Sequence, residues 1–170
     1  MASSRDRMGS KWLRCALLAT FWLSCKHAPE PAPPCPEAEP LKLVLKGTDR
    51  LNPGDKGEPL AMVVRIYQLK GSNKISDASF SDLLDNDKTV LAEDFIDMKE
   101  LTLQPAQQLT PPVPRADGAQ YLAVVGLFRQ PAGTSWRVLY HLPTADPQHC
   151  HKKSAGVVQM VLSENRIELR

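Results

Sequence analysis

The chain has 170 residues, of which 42% are hydrophobic and 24% charged, with a formal net charge of +2. That length suits one domain with its own core. Residues 1–24 hold four of the 21 basic and one of the 19 acidic residues, which leaves 17 basic and 18 acidic in the rest. A near-neutral remainder lacks the basic footprint of a nucleic-acid binder.

In chain order, the first feature is an apolar run, Cys15 to Ser24, preceded by Arg5, Arg7, Lys11 and Arg14. A membrane-spanning helix needs about 20 apolar residues, and this run is half that. A basic segment followed by a short apolar one has the pattern of a secretory signal peptide, which predicts a signal over 1–24. The small Ser24 before Cys25 resembles a lipobox, WLSC, in which Cys25 becomes the acylated first mature residue; an ordinary secreted protein cut nearby is the other reading. Lys26 to Pro40 contains six prolines. Such a tract is expected to stay extended, at ~3.1 Å per residue, as a tether over 25–40 reaching roughly 45 Å. A merely disordered N-terminus is physically much the same object.

From Leu41 the pattern changes, and one domain is expected over 41–170. LKLVLK alternates Leu41, Leu43 and Leu45 with Lys42 and Lys46, the period of a half-buried strand. After a turn-rich stretch, LAMVVRIYQL is β-branched and aromatic and predicts a second strand over 60–69. SDASFSDLLDND predicts one short helix, capped by Ser76 or Asp77, with Phe80, Leu83 and Leu84 on one side. Further strands are expected at about Asp94–Leu103, around Leu109, and at 120–129, 136–142, 156–162 and 166–169. The run 121–128 is apolar on both faces, as a central strand is, and Ser163 to Asn165 can turn a final hairpin. Many short strands without alternating helices predict an all-β, antiparallel two-sheet sandwich with one added helix.

Little in the sequence points to catalysis. His149, Cys150 and His151, with Cys35 and Met160, could be imagined as a copper or zinc site, but the spacing matches no ligand set. Asp82, Asp85 and Asp87 lack the glycine and terminal glutamate of a calcium loop and read as a solvated helix face. No hydrolase, zinc-protease or phosphate-loop motif is present. No enzyme, metal or cofactor is therefore expected. If Cys25 is acylated, Cys35 and Cys150 are the cysteines left to pair in an oxidising compartment. A bridge would stabilise by on the order of 4 to 5 kcal/mol in the chain-entropy model; two free thiols are the alternative.

The blocks NPGDKGEPLAMVVRIYQLK, SDASFSDLLDND, LAEDF and YLAVVGLFRQPAGTSWR resemble, in order, those of the outer-membrane lipoprotein family of type VI secretion systems (TssJ, VasD or SciN). The resemblance runs from about Leu41 to Leu169. Asn52-Pro53, Gly57, Pro59 and VVRIYQL are its most specific part, and Trp136-Arg137 is a second anchor. Pro105-Ala106 departs from the Pro-Gly usual there. The resemblance implies a non-enzymatic, transthyretin-like sandwich, tethered by lipid to the periplasmic face of the outer membrane. It further implies binding to the periplasmic C-terminal domain of the inner-membrane protein TssM, with no nucleic acid and no small-molecule substrate. The contact is expected in the loop between the first two strands, about Thr48 to Leu60, through Asp49, Arg50, Leu51, Asn52 and Asp55, with Leu51 as the apolar anchor. The same loop could be no more than a long connection turned by Asn52-Pro53-Gly54-Asp55. A periplasmic ligand- or metal-binding lipoprotein on the same sandwich is the rival function.

Overall fold

The computed structural model describes residues 41–143 and 156–170. Eight strands form two four-stranded sheets: β1 (Lys42–Leu51), β2 (Met62–Leu69), β3 (Phe95–Leu103), β4 (Gln108–Leu109), β5 (Tyr121–Leu127), β6 (Arg137–His141), β7 (Val157–Glu164) and β8 (Arg166–Leu169). One sheet has the order β4-β1-β7-β8, the other β3-β2-β5-β6. The alternation read from the sequence sets the inner faces. Leu43, Leu45, Val158, Met160, Leu162 and Ile167 face Met62, Val64, Ile66, Leu122 and Val124 across the interior, and all are buried. The sandwich expected from the sequence is therefore the fold.

Two details differ from expectation. All pairings are antiparallel except that of the two central strands β1 and β7, which run parallel, Leu43 opposite Val158 and Leu45 opposite Met160. A parallel pair needs a crossover and is normally buried; here more than a hundred residues and the whole second sheet lie between the two strands. The single helix expected near 76–87 is instead three short ones, α1 (Asn73–Asp77), α2 (Phe80–Asp85) and α3 (Asp87–Leu91), with a 3-10 turn over Ala92–Asp94. The chain breaks because Ala78 is extended, with ψ 140°, and Asn86 has φ −138°. The cap of α2 is Ser79 rather than Ser76 or Asp77. Its hydroxyl accepts from the Asp82 N–H at 3.1 Å, and its own N–H donates to Asp82 Oδ2 at 3.0 Å, a reciprocal capping box. Hydrogen bonding by the Ser79 side chain first and its backbone N–H second holds the Asp82 carboxyl below its usual pKa.

These helices cover the outer face of the second sheet, which explains why β5 is apolar on both sides. Outward-facing Tyr67, Ala123 and Val125 are buried, as are Ile75, Leu83 and Leu91 of the helices. Helices this short do not persist alone in water, and side chains from the sheet hold them. Arg65 donates to the Leu83 carbonyl at 2.8 Å and pairs with Glu100 at 2.9 Å. The Tyr67 hydroxyl donates to Asp87 at 2.8 Å; burial first, and that bond second, push the phenol well above its usual pKa. Arg137 donates to the carbonyls of Ser76 and Ala78 at the end of α1 and lies over the Trp136 ring, which forms a T-shaped pair with Phe80 at 5.2 Å between centroids.

Ala106 has φ +58°, where an L-residue is strained by roughly 1 kcal/mol or more and glycine is not. The Pro105-Ala106 departure thus falls at a position that favours glycine.

Candidate partner-binding surface

β1 continues past the LKLVLK run to Leu51, so the connection to β2 is shorter than Thr48 to Leu60. Thr48, Asp49 and Arg50 bulge out of the β1–β7 ladder, whose register shifts between Gly47 and Leu51. Leu51 then points inward and is fully buried. The expectation that Leu51 is an apolar anchor for a partner is therefore corrected: a side chain packed in the sandwich core has none of its surface free to enter a partner pocket.

Asn52 is 5% exposed and left-handed, with φ +47°, a conformation that asparagine tolerates better than most residues. It too has a structural part rather than a surface one. Its N–H donates to the Glu164 carbonyl at 2.7 Å, its Oδ1 accepts from the Arg129 N–H at 2.9 Å, and its Nδ2 donates to the Ala61 carbonyl at 3.2 Å.

Beyond Asn52 the chain makes a self-contained turn. The Gly54 N–H bonds the Glu58 carbonyl at 2.8 Å and the Gly57 N–H the Gly54 carbonyl at 3.0 Å. Gly57 has φ +80°, the left-handed value that closes such a turn without strain. Asp55, Lys56, Glu58 and Pro59 are exposed on it, as are Asp49 and Arg50 at the bulge. Of the five contact residues expected from the sequence, the structure thus leaves Asp49, Arg50 and Asp55 on the surface and places Leu51 and Asn52 beneath them.

Two neighbours join this loop. Arg129, just after β5, pairs with Asp55 at 2.9 Å, and Glu164, the last residue of β7 before the β7–β8 turn, with Arg50 at 3.1 Å. Both pairs are exposed and worth little to stability; they show which loops share this end of the molecule. Sequence reasoning did not single out Arg129 or Glu164. No local pattern marks them, because they meet the first loop only through pairings more than 70 residues apart.

Cys25, Cys35, Cys150, His149 and His151 lie outside the described residues. Among the described residues no group of three or more histidine, cysteine, aspartate or glutamate side chains could hold a metal ion, and no helix is long and apolar enough to cross a membrane. A groove of about 300 Å3 beside Ile75, Ser76, Thr134 and Arg137 offers one cation, which is already bonded to the Ser76 and Ala78 carbonyls.

Fold and surface together define a β-sandwich, covered by helices on one sheet, whose exposed loops are gathered at one end by a rigid frame, the arrangement by which sandwiches commonly present recognition residues. Residues 39–165 match the family model T6SS-SciN, described as type VI secretion lipoprotein, VasD, EvfM, TssJ. The chain belongs to this family of type VI secretion lipoproteins. A search of curated proteins returned no match. Among solved structures, a chain from one described as "Type VI membrane complex" is 27% identical, with a TM-score of 0.67 over 79% of this chain and 99% of that one. A chain from a structure described as "T6SS protein TssM C-terminal domain (869-1107) from EAEC" is 29% identical, with a TM-score of 0.65 over 76% of this chain and 99% of that one. The lipoprotein TssJ1 from Pseudomonas aeruginosa, at 21% identity and a TM-score of 0.66 over 77% of this chain and 95% of its own, shares the fold.

Proposed function

We propose that this protein is the outer-membrane lipoprotein of a type VI secretion trans-envelope complex, acylated at Cys25, and that the loop end of its sandwich binds the periplasmic C-terminal domain of a TssM-type inner-membrane partner. The observation that carries the reading is the family match over residues 39–165, which takes in β1 to β7; similarity to chains from a type VI membrane complex and from a TssM C-terminal domain structure supports it. Its role is structural rather than enzymatic.

The geometry is favourable to such a bridge. The chain enters β1 at Lys42, and the loops lie beyond Leu51 at the other end of the same strand, roughly 30 Å away for ten residues. The described residues therefore begin at the pole opposite the loops.

Calorimetry of the full lipoprotein in detergent, titrated with the purified periplasmic domain of the TssM-type protein from the same cell, tests the contact. Asp55→Arg, at an exposed turn position, should weaken binding at least about tenfold and leave thermal unfolding unchanged. Equal affinities would move the contact off this loop; metal uptake by a wild-type protein that does not bind would favour the rival ligand-binding reading. Acylation is checked separately: Cys25→Ser should abolish both labelling by a fatty-acid analogue and sedimentation with outer membranes. Retention of either by the variant counts against Cys25 as the lipid site.

A further inference from the structure

We infer that the partner surface is a platform of three connections rather than one loop, and that Asn52 is the positioning residue that locks them together. The inference rests on the proposed use of the loop end for partner binding, and it adds the β5–β6 connection and the β7–β8 turn to that surface.

Asn52 reaches all three with one residue. Its backbone N–H holds Glu164, where β7 enters the β7–β8 turn; its Oδ1 holds the Arg129 N–H at the start of the β5–β6 connection; its Nδ2 holds Ala61 at the return of its own loop. The connections are also tied to one another. The Ala132 N–H donates to the Asn165 carbonyl at 3.2 Å and the Ile167 N–H to the Ser135 carbonyl at 2.7 Å, joining the β5–β6 connection to the β7–β8 turn and to β8. The Thr48 hydroxyl donates to the Ser163 hydroxyl at 3.1 Å, joining the end of β7 to β1. On the same connections stand exposed Asp55, Lys56, Arg129, Gln130 and Thr134.

Two physical consequences follow. A partner large enough to cover the β1–β2 turn also meets groups paired to it, because Arg129 and Asp55 are within 2.9 Å and a protein contact of ordinary size spans 20–30 residues a side. And a loop fixed in advance loses less conformational freedom on binding, so its anchor raises affinity without touching the partner.

The test uses the full lipoprotein and the TssM-type periplasmic domain as probe, with amide hydrogen exchange of the unbound protein as a second readout. Gln130→Arg and Thr134→Arg, exposed on the β5–β6 connection, should each weaken binding at least about tenfold with unchanged thermal unfolding; Asp85→Arg, on the helical cover, should bind as wild type. Asn52→Ala should speed exchange of both the Arg129 and the Leu60 amides and weaken binding. Asn52→Asp keeps the acceptor for Arg129 and loses the donor to Ala61, so it should protect the Arg129 amide and restore part of the affinity. Wild-type binding by both Gln130→Arg and Thr134→Arg, with Asp55→Arg impaired, overturns the platform and leaves the single-loop reading standing. Unchanged exchange at Arg129 and Leu60 in Asn52→Ala overturns the positioning role, whatever the probe does. Failure of the wild-type protein to bind the probe removes the proposed partner instead, and the exchange result still decides the role of Asn52.

Discussion

Leu51→Asp should unfold the domain. Leu51 is fully buried where β1 rejoins the inner face, and the side chains around it are those of the sandwich core. A carboxylate placed there has neither water nor a cation to meet it. The cost is several kcal/mol, on the order of 4–5 or more, against a total stability of about 5–15 kcal/mol for a domain. Leu51→Ala, which loses only packing, should cost about 2–5 kcal/mol. Circular dichroism on heating checks both. The order expected is wild type above Leu51→Ala, with Leu51→Asp lacking a cooperative transition at ordinary temperature. A Leu51→Asp protein that melts with the wild type would return Leu51 to the surface and reopen its part in recognition. Loss of partner binding by this variant is accordingly a folding effect and says nothing about the interface.

Trp136→Ala should have the second largest effect, at the seam between sheet and helices. Trp136 is buried just before β6, with its ring in a T-shaped pair with Phe80 of α2 and beneath the Arg137 guanidinium. Removing a buried tryptophan costs about 3–5 kcal/mol, part of it the aromatic pair at ~0.5–1.5 kcal/mol. The loss is concentrated because α1 to α3 have no independent stability and depend on a handful of sheet side chains. Burial also pulls the Arg137 guanidinium below its usual pKa, with Asp77 opposing, so the packing that covers this cation also costs it solvation. The denaturant midpoint should fall accordingly, with Trp136→Phe recovering a good part of it. Hydrogen exchange should further show the amides of residues 80–91 opening before those of β2 and β5. Uniform loss of protection across both sheets would mean that the helical cover is not a separate layer. Trp12 and Trp22 lie before Cys25, so in a chain that starts at Cys25 the fluorescence of Trp136 alone follows this seam.

What the residues state locally, the sequence determined: the strands of both sheets from their period of two, β5 as a central strand from its two apolar faces, the β7–β8 hairpin from Ser163 to Asn165, and the order of blocks that carries the family. Three matters were decided only in three dimensions. The parallel pairing of β1 with β7 joins segments more than a hundred residues apart, and nothing in either names the direction of its neighbour. The helical segment broke into three because Ala78 and Asn86 leave helical geometry where the chain must follow the sheet, which outweighs a propensity worth tenths of a kcal/mol per residue. The fate of Leu51 was half legible. It keeps the odd-numbered phase of Leu43 and Leu45, but the polar Thr48, Asp49 and Arg50 hide the strand, and only the ladder to β7 shows that it continues. Asn52 reads as a turn residue by type. That this one residue holds two other connections, Arg129 through its side chain and Glu164 through its backbone N–H, follows from long-range contacts, which local sequence does not encode because hydrogen-bond partners are chosen by the packed fold.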